Sequence, residues 1–134
     1  MYDTVVLVIR IDLNNPLPLE EQITAALRQA LAQGTVAPGD ELPSVRQLAG
    51  DLGVHWNTVA RAYRRLSDEG LLSVRRGKGV VARERMRSTV RVSRTTVRER
   101  FAATVADGLL GGLSHDDISH AFREALAGFG ERKR

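Results

Sequence analysis

The sequence predicts a mainly α-helical fold with a small β-hairpin wing: a winged helix-turn-helix followed by a two-helix C-terminal segment. Two short amphipathic helices meet at Gly53, which is the pattern of a helix-turn-helix. A hairpin with a basic, glycine-containing tip follows them. Apolar residues then recur at helical spacing near the end of the chain. We place the winged helix-turn-helix domain in residues 1–82 and the helical segment in residues 83–134.

Before the first helix, a short lead-in strand is predicted. Apolar and polar residues alternate over residues 9–13, the period of a half-buried strand, and Asn15-Pro16 ends it. Pro18 suits the first turn of a helix, and apolar residues follow at helical spacing until Gly34. We therefore expect an amphipathic first helix that faces the core.

The helix-turn-helix itself is marked by a cap and a turn. Ser44 and Gln47 have the spacing of a capping box at the start of the second helix, which runs to Leu52. Gly53 supplies the turn before a third helix over about 56–69. After this helix, residues 71–74 and 80–82 flank the basic tip and predict the wing.

The last part of the chain predicts two amphipathic helices. One is expected over about 94–110, and Ser114 with Asp116 and Asp117 caps and charges the start of the other. Two short helices of this kind cannot bury their apolar faces against each other alone, so we expect the same segment of a second chain to cover them. The predicted dimerisation residues are Val97, Phe101, Val105, Leu109, Ile118, Phe122, Leu126 and Phe129.

Composition limits the function classes. The 134 residues, of which 43% are hydrophobic, suffice for one domain and a small appendage, so a large ligand-binding second domain is excluded. The longest strongly apolar run, Val5–Ile9, is far shorter than the about 20 residues of a membrane span, and we see no signal sequence. Without cysteine there are no thiolate metal sites or cysteine nucleophiles. We expect a soluble, cytoplasmic protein with no membrane contact.

Positive charge is concentrated in the middle of the chain. Residues 61–100 carry 13 positive and four negative charges, although the net charge of the whole chain is +4. Such a block is typical of a solvated surface or of a nucleic-acid-binding segment. The third helix favours the second interpretation, because its apolar side leaves polar and basic residues exposed on the other side.

Residues 16–82 resemble the DNA-binding domain of the GntR family of bacterial regulators. The resemblance is carried by Pro16-Leu17, Glu21-Gln22-Ile23, the run Pro38–Ala49, Leu52-Gly53-Val54, the run Asn57–Tyr63, Leu66, Glu69-Gly70-Leu71 and Arg76-Gly77-Lys78-Gly79. The short tail is similar to that of the YtrA-like subfamily, whose members dimerise through it. The resemblance implies a sequence-specific transcriptional regulator, a repressor that binds an inverted-repeat operator as a homodimer, with no enzyme activity and no cofactor.

The predicted DNA-binding residues come from three elements. Asn can pair with adenine and Arg with guanine near the start of the third helix, whereas arginines further along reach phosphates. By the resemblance, Arg46 at the second helix also contacts DNA, and the wing tip lies on the backbone or in the minor groove. The candidate residues are Arg46, His55, Trp56, Asn57, Thr58, Arg61, Arg64, Arg65, Arg75, Arg76, Gly77 and Lys78.

Two of these residues depart from the family pattern, in which Ser or Thr and then Arg commonly open the recognition helix. His55 is a poorer helix cap than serine by about 1 kcal/mol, and Trp56 cannot make an arginine's bidentate guanine contact. Trp56 either offers an apolar contact to a thymine methyl or the sugar-phosphate edge, or packs beside the second helix. The operator is therefore expected to differ from the family average.

Other chemistries find less support in the sequence. His115, Asp116, Asp117 and His120 suggest a metal site, but two ligands on one face are too few for structural zinc and helix capping explains the carboxylates. Gly79 stands where a phosphate-binding loop needs Ser or Thr after Lys78. The alternative function is a winged-helix protein-interaction module without DNA binding. The sequence leaves the operator, the regulated genes and any small-molecule effector open.

Overall fold

The computed structural model of the chain describes residue 4 and residues 7–75, 79–84 and 91–130. The chain divides into two compact units, Met1–Thr89 and Val90–Arg134, and each is described by itself. The predicted domain boundary after residue 82 stays a prediction, since residues 85–90 lie outside the described ranges.

The first unit contains three helices: α1 Leu19–Gln33, α2 Val45–Leu52 and α3 Trp56–Asp68. Helix α3 packs against both α1 and α2. Gly34 and Gly53 end α1 and α2 in the left-handed conformation, as the sequence predicts. The residues at the centre of the core are fully buried and come from all three helices and the segments around them: Ile23, Leu27, Val36, Leu42, Leu48, Val59, Ala62, Leu66 and Leu72.

The wing is a two-stranded antiparallel hairpin of β1 Leu72–Arg75 and β2 Gly79–Ala82. Its register pairs Leu72 with Ala82 and Arg75 with Gly79. The segment before α2 joins β2 from the other side, because the Leu42 amide donates to the Val80 carbonyl at 2.8 Å. The base of the wing is thereby fixed to the segment that leads into the helix-turn-helix.

The predicted lead-in strand over residues 9–13 is wrong, because these residues form no strand in the structure. Leu7, Ile9 and Ile11 do pack against the core, and the residues between them are exposed. Instead of a neighbouring strand, the side-chain amide of Gln22 holds the segment. It accepts from the Asp12 amide at 2.9 Å and donates to the Asp12 carbonyl at 3.0 Å. The alternation of apolar and polar residues thus indicates which side of the segment faces the core. It carries no information on which groups the backbone of the segment hydrogen-bonds to.

The second unit consists of α4 Arg94–Leu110 and α5 His115–Ala127, and α4 has the predicted bounds. Ser93 and Ser114 cap the two helices, and Ser114 forms a full capping box with Asp117. Gly108 lets the helices approach closely, since a Cβ there would lie 3.2 Å from Cδ1 of Ile118. Phe101 and Phe122 meet edge to face, with ring centroids 5.5 Å apart.

The last helix ends earlier than predicted. It stops at Ala127, so Phe129, expected on its apolar face, lies beyond the helix. The Phe129 amide donates to the Leu126 carbonyl at 3.0 Å, a tight turn next to Gly128. The glycines on both sides of Phe129 favour this end, which the apolar spacing alone did not reveal.

Candidate nucleic-acid interface

Helix α3 has one face buried in the core and one polar face exposed to solvent. Val59, Ala62, Tyr63 and Leu66 are buried in the core. Asn57, Arg61 and Arg64 are exposed, and their spacing places them on one stripe opposite the buried residues. Thr58 is half-buried at the edge of this polar face. The stripe therefore presents one amide and two guanidinium groups to solvent along two turns of a rigidly packed helix.

Two long-range contacts hold α3 in place. The buried Tyr63 hydroxyl donates to the Pro43 carbonyl at 2.7 Å, which ties α3 to the start of α2. Burial raises the pKa of Tyr63 above its ordinary value, so the phenol stays a neutral donor. At the other end, Arg28 of α1 forms a two-bond ion pair with Glu69. The sequence offered no signal for either pair, because the partners are far apart in the chain.

His55 caps α3 with its ring. Its Nδ1 accepts a hydrogen bond from the Asn57 amide at 3.1 Å, so the position that departs from the family's Ser or Thr still satisfies one free amide at the helix start. The His55 ring thereby lies at a defined place beside the first turn of α3.

Trp56 is exposed to solvent at the start of α3. Its side chain is 54% exposed, and its ring lies 5.5 Å from that of His55 at an interplanar angle of 30°. The two tilted rings thus lie beside each other at the start of α3, immediately before Asn57 in the chain. An exposed tryptophan of this kind can contact a thymine methyl or a deoxyribose.

The three arginines of α3 differ in their surroundings. Arg65 lies with its Nε 3.9 Å from Glu69 Oε1, whereas Arg61 and Arg64 form no ion pair within the described part of the chain. Glu20 and Asp68 line the same shallow surface as these arginines. Arg61 and Arg64 therefore carry the least compensated charge of α3, and Arg65 is partly neutralised.

The other candidate residues lie on α2 and the wing. Arg46 is exposed in the first turn of α2, where the Ser44 hydroxyl accepts from the Gln47 amide at 3.1 Å. The return bond of the predicted capping box, from the Gln47 side chain, does not form among the described residues. Arg75 ends β1. Arg76, Gly77 and Lys78, the predicted wing tip, lie outside the described residues.

The second unit exposes the predicted dimerisation residues as one apolar surface. Ile118 and Phe129 are half-buried, and the rest are exposed: Val97, Phe101, Val105, Leu109, Phe122 and Leu126. Three exposed apolar residues near this segment were not predicted, namely Val92, Leu110 and Leu113. Exposure of so many large apolar side chains in two adjoining helices is typical of an interaction surface.

Two of the residues that suggested a metal site, His120 and Asp117, make local contacts in or next to α5. His120 Nε2 lies 3.2 Å from Glu124 Oε1 one turn on, and the Ser114 amide donates to Asp117 at 2.8 Å. No group of three potential metal ligands is found among the described residues. Within those residues there is also no helix with the length and apolarity to cross a bilayer.

Comparison with known proteins gives a consistent picture. Residues 19–81 match the family model described as bacterial regulatory proteins, gntR family. The chain is 32% identical over 120 residues to the HTH-type transcriptional repressor YtrA of Bacillus subtilis, which covers 89% of this chain and 92% of that protein.

Solved structures agree along nearly the whole chain. YtrA from Sulfolobus acidocaldarius, a GntR-family transcription factor, is 31% identical with a TM-score of 0.54, over 89% of this chain and 97% of the other. A transcriptional antiterminator from Listeria monocytogenes, 23% identical, has the same fold with a TM-score of 0.68 over 95% of this chain and 96% of the other. The similarity thus extends from the wing-bearing unit into the C-terminal helices.

Proposed function

The chain belongs to the gntR family of bacterial regulatory proteins and is a DNA-binding transcription regulator, and from this we propose that it represses transcription as a homodimer on an inverted-repeat operator. The proposed DNA-binding surface rests on one observation: Asn57, Arg61 and Arg64 form an exposed stripe on α3. The sign of regulation follows the Bacillus subtilis relative, which is named a transcriptional repressor. We propose that the protein acts on chromosomal DNA in the cytoplasm and that it has no enzyme activity.

In this proposal α3 enters the major groove. Asn57 accepts and donates at an adenine edge, and Arg61 makes a bidentate contact with guanine, the pairings that the geometry of these side chains favours. Arg64, two turns from the helix start, and Arg46 on α2 contact phosphates. A phosphate partner also explains Arg46, whose charge opposes the dipole at the start of α2.

The homodimer is supported by the exposed apolar surface of α4 and α5. A second copy of the same surface would cover residues such as Phe101 and Leu126 from solvent. Two recognition helices related by a two-fold axis then meet half-sites about 34 Å apart, one helical turn. The inverted repeat of the operator follows from the symmetry of the dimer.

Trp56 is proposed to change the base preference. Trp56 is 54% exposed beside Asn57, so its indole can contact a thymine methyl, whereas an arginine at the same position would favour guanine. Selection of preferred sites from a random DNA pool tests this role. Trp56→Arg is expected to shift the preference at one position per half-site toward guanine, and an unchanged preferred site would contradict it.

The DNA-binding surface is tested by fluorescence anisotropy with the duplex that lies upstream of the protein's own gene. Arg61→Ala is expected to weaken specific binding by about 1–3 kcal/mol, the cost of removing one bidentate base interaction. Arg10→Ala removes an exposed arginine outside the surface and serves as the matched control. Equal affinity of the two variants would contradict the proposed role of α3.

A further inference from the structure

We propose that three arginines at or just before the start of α4, Arg91, Arg94 and Arg98, form a second DNA-binding surface that contacts the phosphate backbone. The inference rests on the DNA binding by α3 proposed above. It assigns the basic start of α4 to the same ligand, although this helix belongs to the unit that carries the dimerisation residues.

The three arginines are exposed and uncompensated. All three side chains are exposed to solvent, and none forms an ion pair with another described residue. The first turn of α4 has no acidic residue. The start of α4 therefore presents a concentrated positive charge that no described residue neutralises through an ion pair.

Their placement is unfavourable for the helix alone. Arg94 and Arg98 are one turn apart and repel each other, and Arg94 lies in the first turn of α4, where the helix dipole disfavours cations. Helix α5 has the opposite arrangement, with Asp116 and Asp117 in its first turn. An anionic partner at α4 would offset both the repulsion between the arginines and the unfavourable dipole interaction. The helix dipole alone explains the acidic residues at the start of α5, but not the arginines at the start of α4.

A second copy of the chain does not offer the partner charge. By helical spacing, the acidic residues of α4 and α5 lie away from the apolar faces that the proposed dimer buries: Glu99, Asp107, Asp116, Asp117 and Glu124. A second copy would therefore bring no carboxylate to Arg94 and Arg98. DNA, with one negative charge per about 1.7 Å of helix axis, offers phosphates at a density that matches the cluster.

Chain length keeps these arginines near bound DNA. Eight residues separate the end of β2 at Ala82 from Arg91, so the backbone makes nine steps from one to the other. Because an extended residue spans at most about 3.6 Å, the tether reaches no further than about 32 Å. That limit is close to one helical turn of DNA, about 34 Å. Chain length therefore allows Arg91 to reach phosphates of the same DNA that the first unit binds.

The salt dependence of binding to a mixed-sequence duplex several helical turns long provides the test. The triple variant R91A/R94A/R98A is expected to reduce the slope of log K against log salt by about 0.9 for each phosphate that is no longer neutralised, a total of about two or more, and to weaken binding at least about tenfold at low salt. The corresponding triple lysine variant keeps the charge and should restore the slope. Arg123→Ala, an exposed arginine of α5, is the matched control and should change neither value.

Sedimentation equilibrium of the same variants separates this role from one in self-association. We expect the triple alanine variant to self-associate as the wild type does. Weaker self-association that accounts for the reduced affinity would overturn the inference, as would an unchanged slope. If Arg61→Ala weakens binding but the triple variant does not, only this inference fails; if neither variant has an effect, the proposed interface on α3 fails as well.

Discussion

The two units of the chain differ in where their apolar residues lie. The first unit buries a continuous core from α1, α2, α3 and the wing, whereas no described residue of the second unit is buried. Both units have well-capped helices of ordinary length. The difference shows that caps and amphipathic spacing specify helices in both units. Only in the first unit do other described residues bury the apolar faces of the helices. Substitutions in the two units test this contrast.

The largest effect is expected from the same substitution made in each unit. Leu27 of α1 is 0% exposed and Leu110 of α4 is 89% exposed. Leu27→Ala removes buried side-chain volume and should lower the free energy of unfolding by about 2–5 kcal/mol. Leu110→Ala should change it by no more than about 0.5 kcal/mol. Urea denaturation measures both, and similar losses from the two variants would refute the contrast between the units.

The next effect concerns the apolar surface of the second unit. Phe101 is 51% exposed and contacts Phe122, and in the proposed dimer it is covered. Phe101→Glu should weaken self-association by at least about 2 kcal/mol, which is about thirtyfold. Ala103→Glu, an exposed position that helical spacing places on the opposite side of α4, is the matched control. Analytical ultracentrifugation distinguishes them, with circular dichroism to show that both variants keep their helices; equal dissociation constants would argue against this surface.

The helices were the most predictable part of the fold. The bounds of α2 and α4 follow from Ser44, Gly53 and the apolar spacing, because caps and periodicity are local properties of the sequence. The start of α5 follows equally from Ser114. Its end did not, since glycines near Phe129 override the apolar spacing.

Contacts between distant residues were not predictable. Gln22 holds the segment that alternation indicated as a strand, and Arg28 pairs with Glu69 across 41 positions. Both depend on which side chains the fold brings together, which periodicity does not encode. For the candidate site, the sequence identified the exposed residues of α3 but not that Glu69 partly neutralises Arg65. The assignment of Arg76, Gly77 and Lys78 to the wing tip stays a prediction.

A smaller effect is expected at the contact that joins α3 to the start of α2. Tyr63→Phe keeps the buried ring but leaves the Pro43 carbonyl without its donor, and should lower the free energy of unfolding by about 1–2 kcal/mol. DNA affinity should fall less than with Arg61→Ala, since Tyr63 does not face solvent. Urea denaturation and anisotropy titration measure the two quantities. Unchanged stability would mean that the hydroxyl bond contributes nothing to the position of α3.

The smallest effect is a pH dependence confined to the second unit. The bonds that Asp117 accepts, first from the Ser114 amide and then from its side chain, hold the pKa of this carboxyl below its ordinary value. A carboxyl whose pKa is lower in the folded state stabilises α5 above its unfolded pKa, and the contribution is lost as the pH falls below about 4 toward the folded value.

Amide hydrogen exchange of α5, measured from neutral pH down through this range, should therefore show protection decreasing in the wild type after correction for the intrinsic exchange rate. Asp117→Asn should remove most of this decrease, because the side chain at the capping position no longer titrates. Asp116→Asn, in the same turn but outside the capping box, should retain it. The core amides of α1 should stay protected over the same range, because the Asp117 cap lies in the other unit. A parallel loss of protection in α1 would show that the two units unfold together. It would contradict the expectation that the Asp117 cap stabilises the second unit alone.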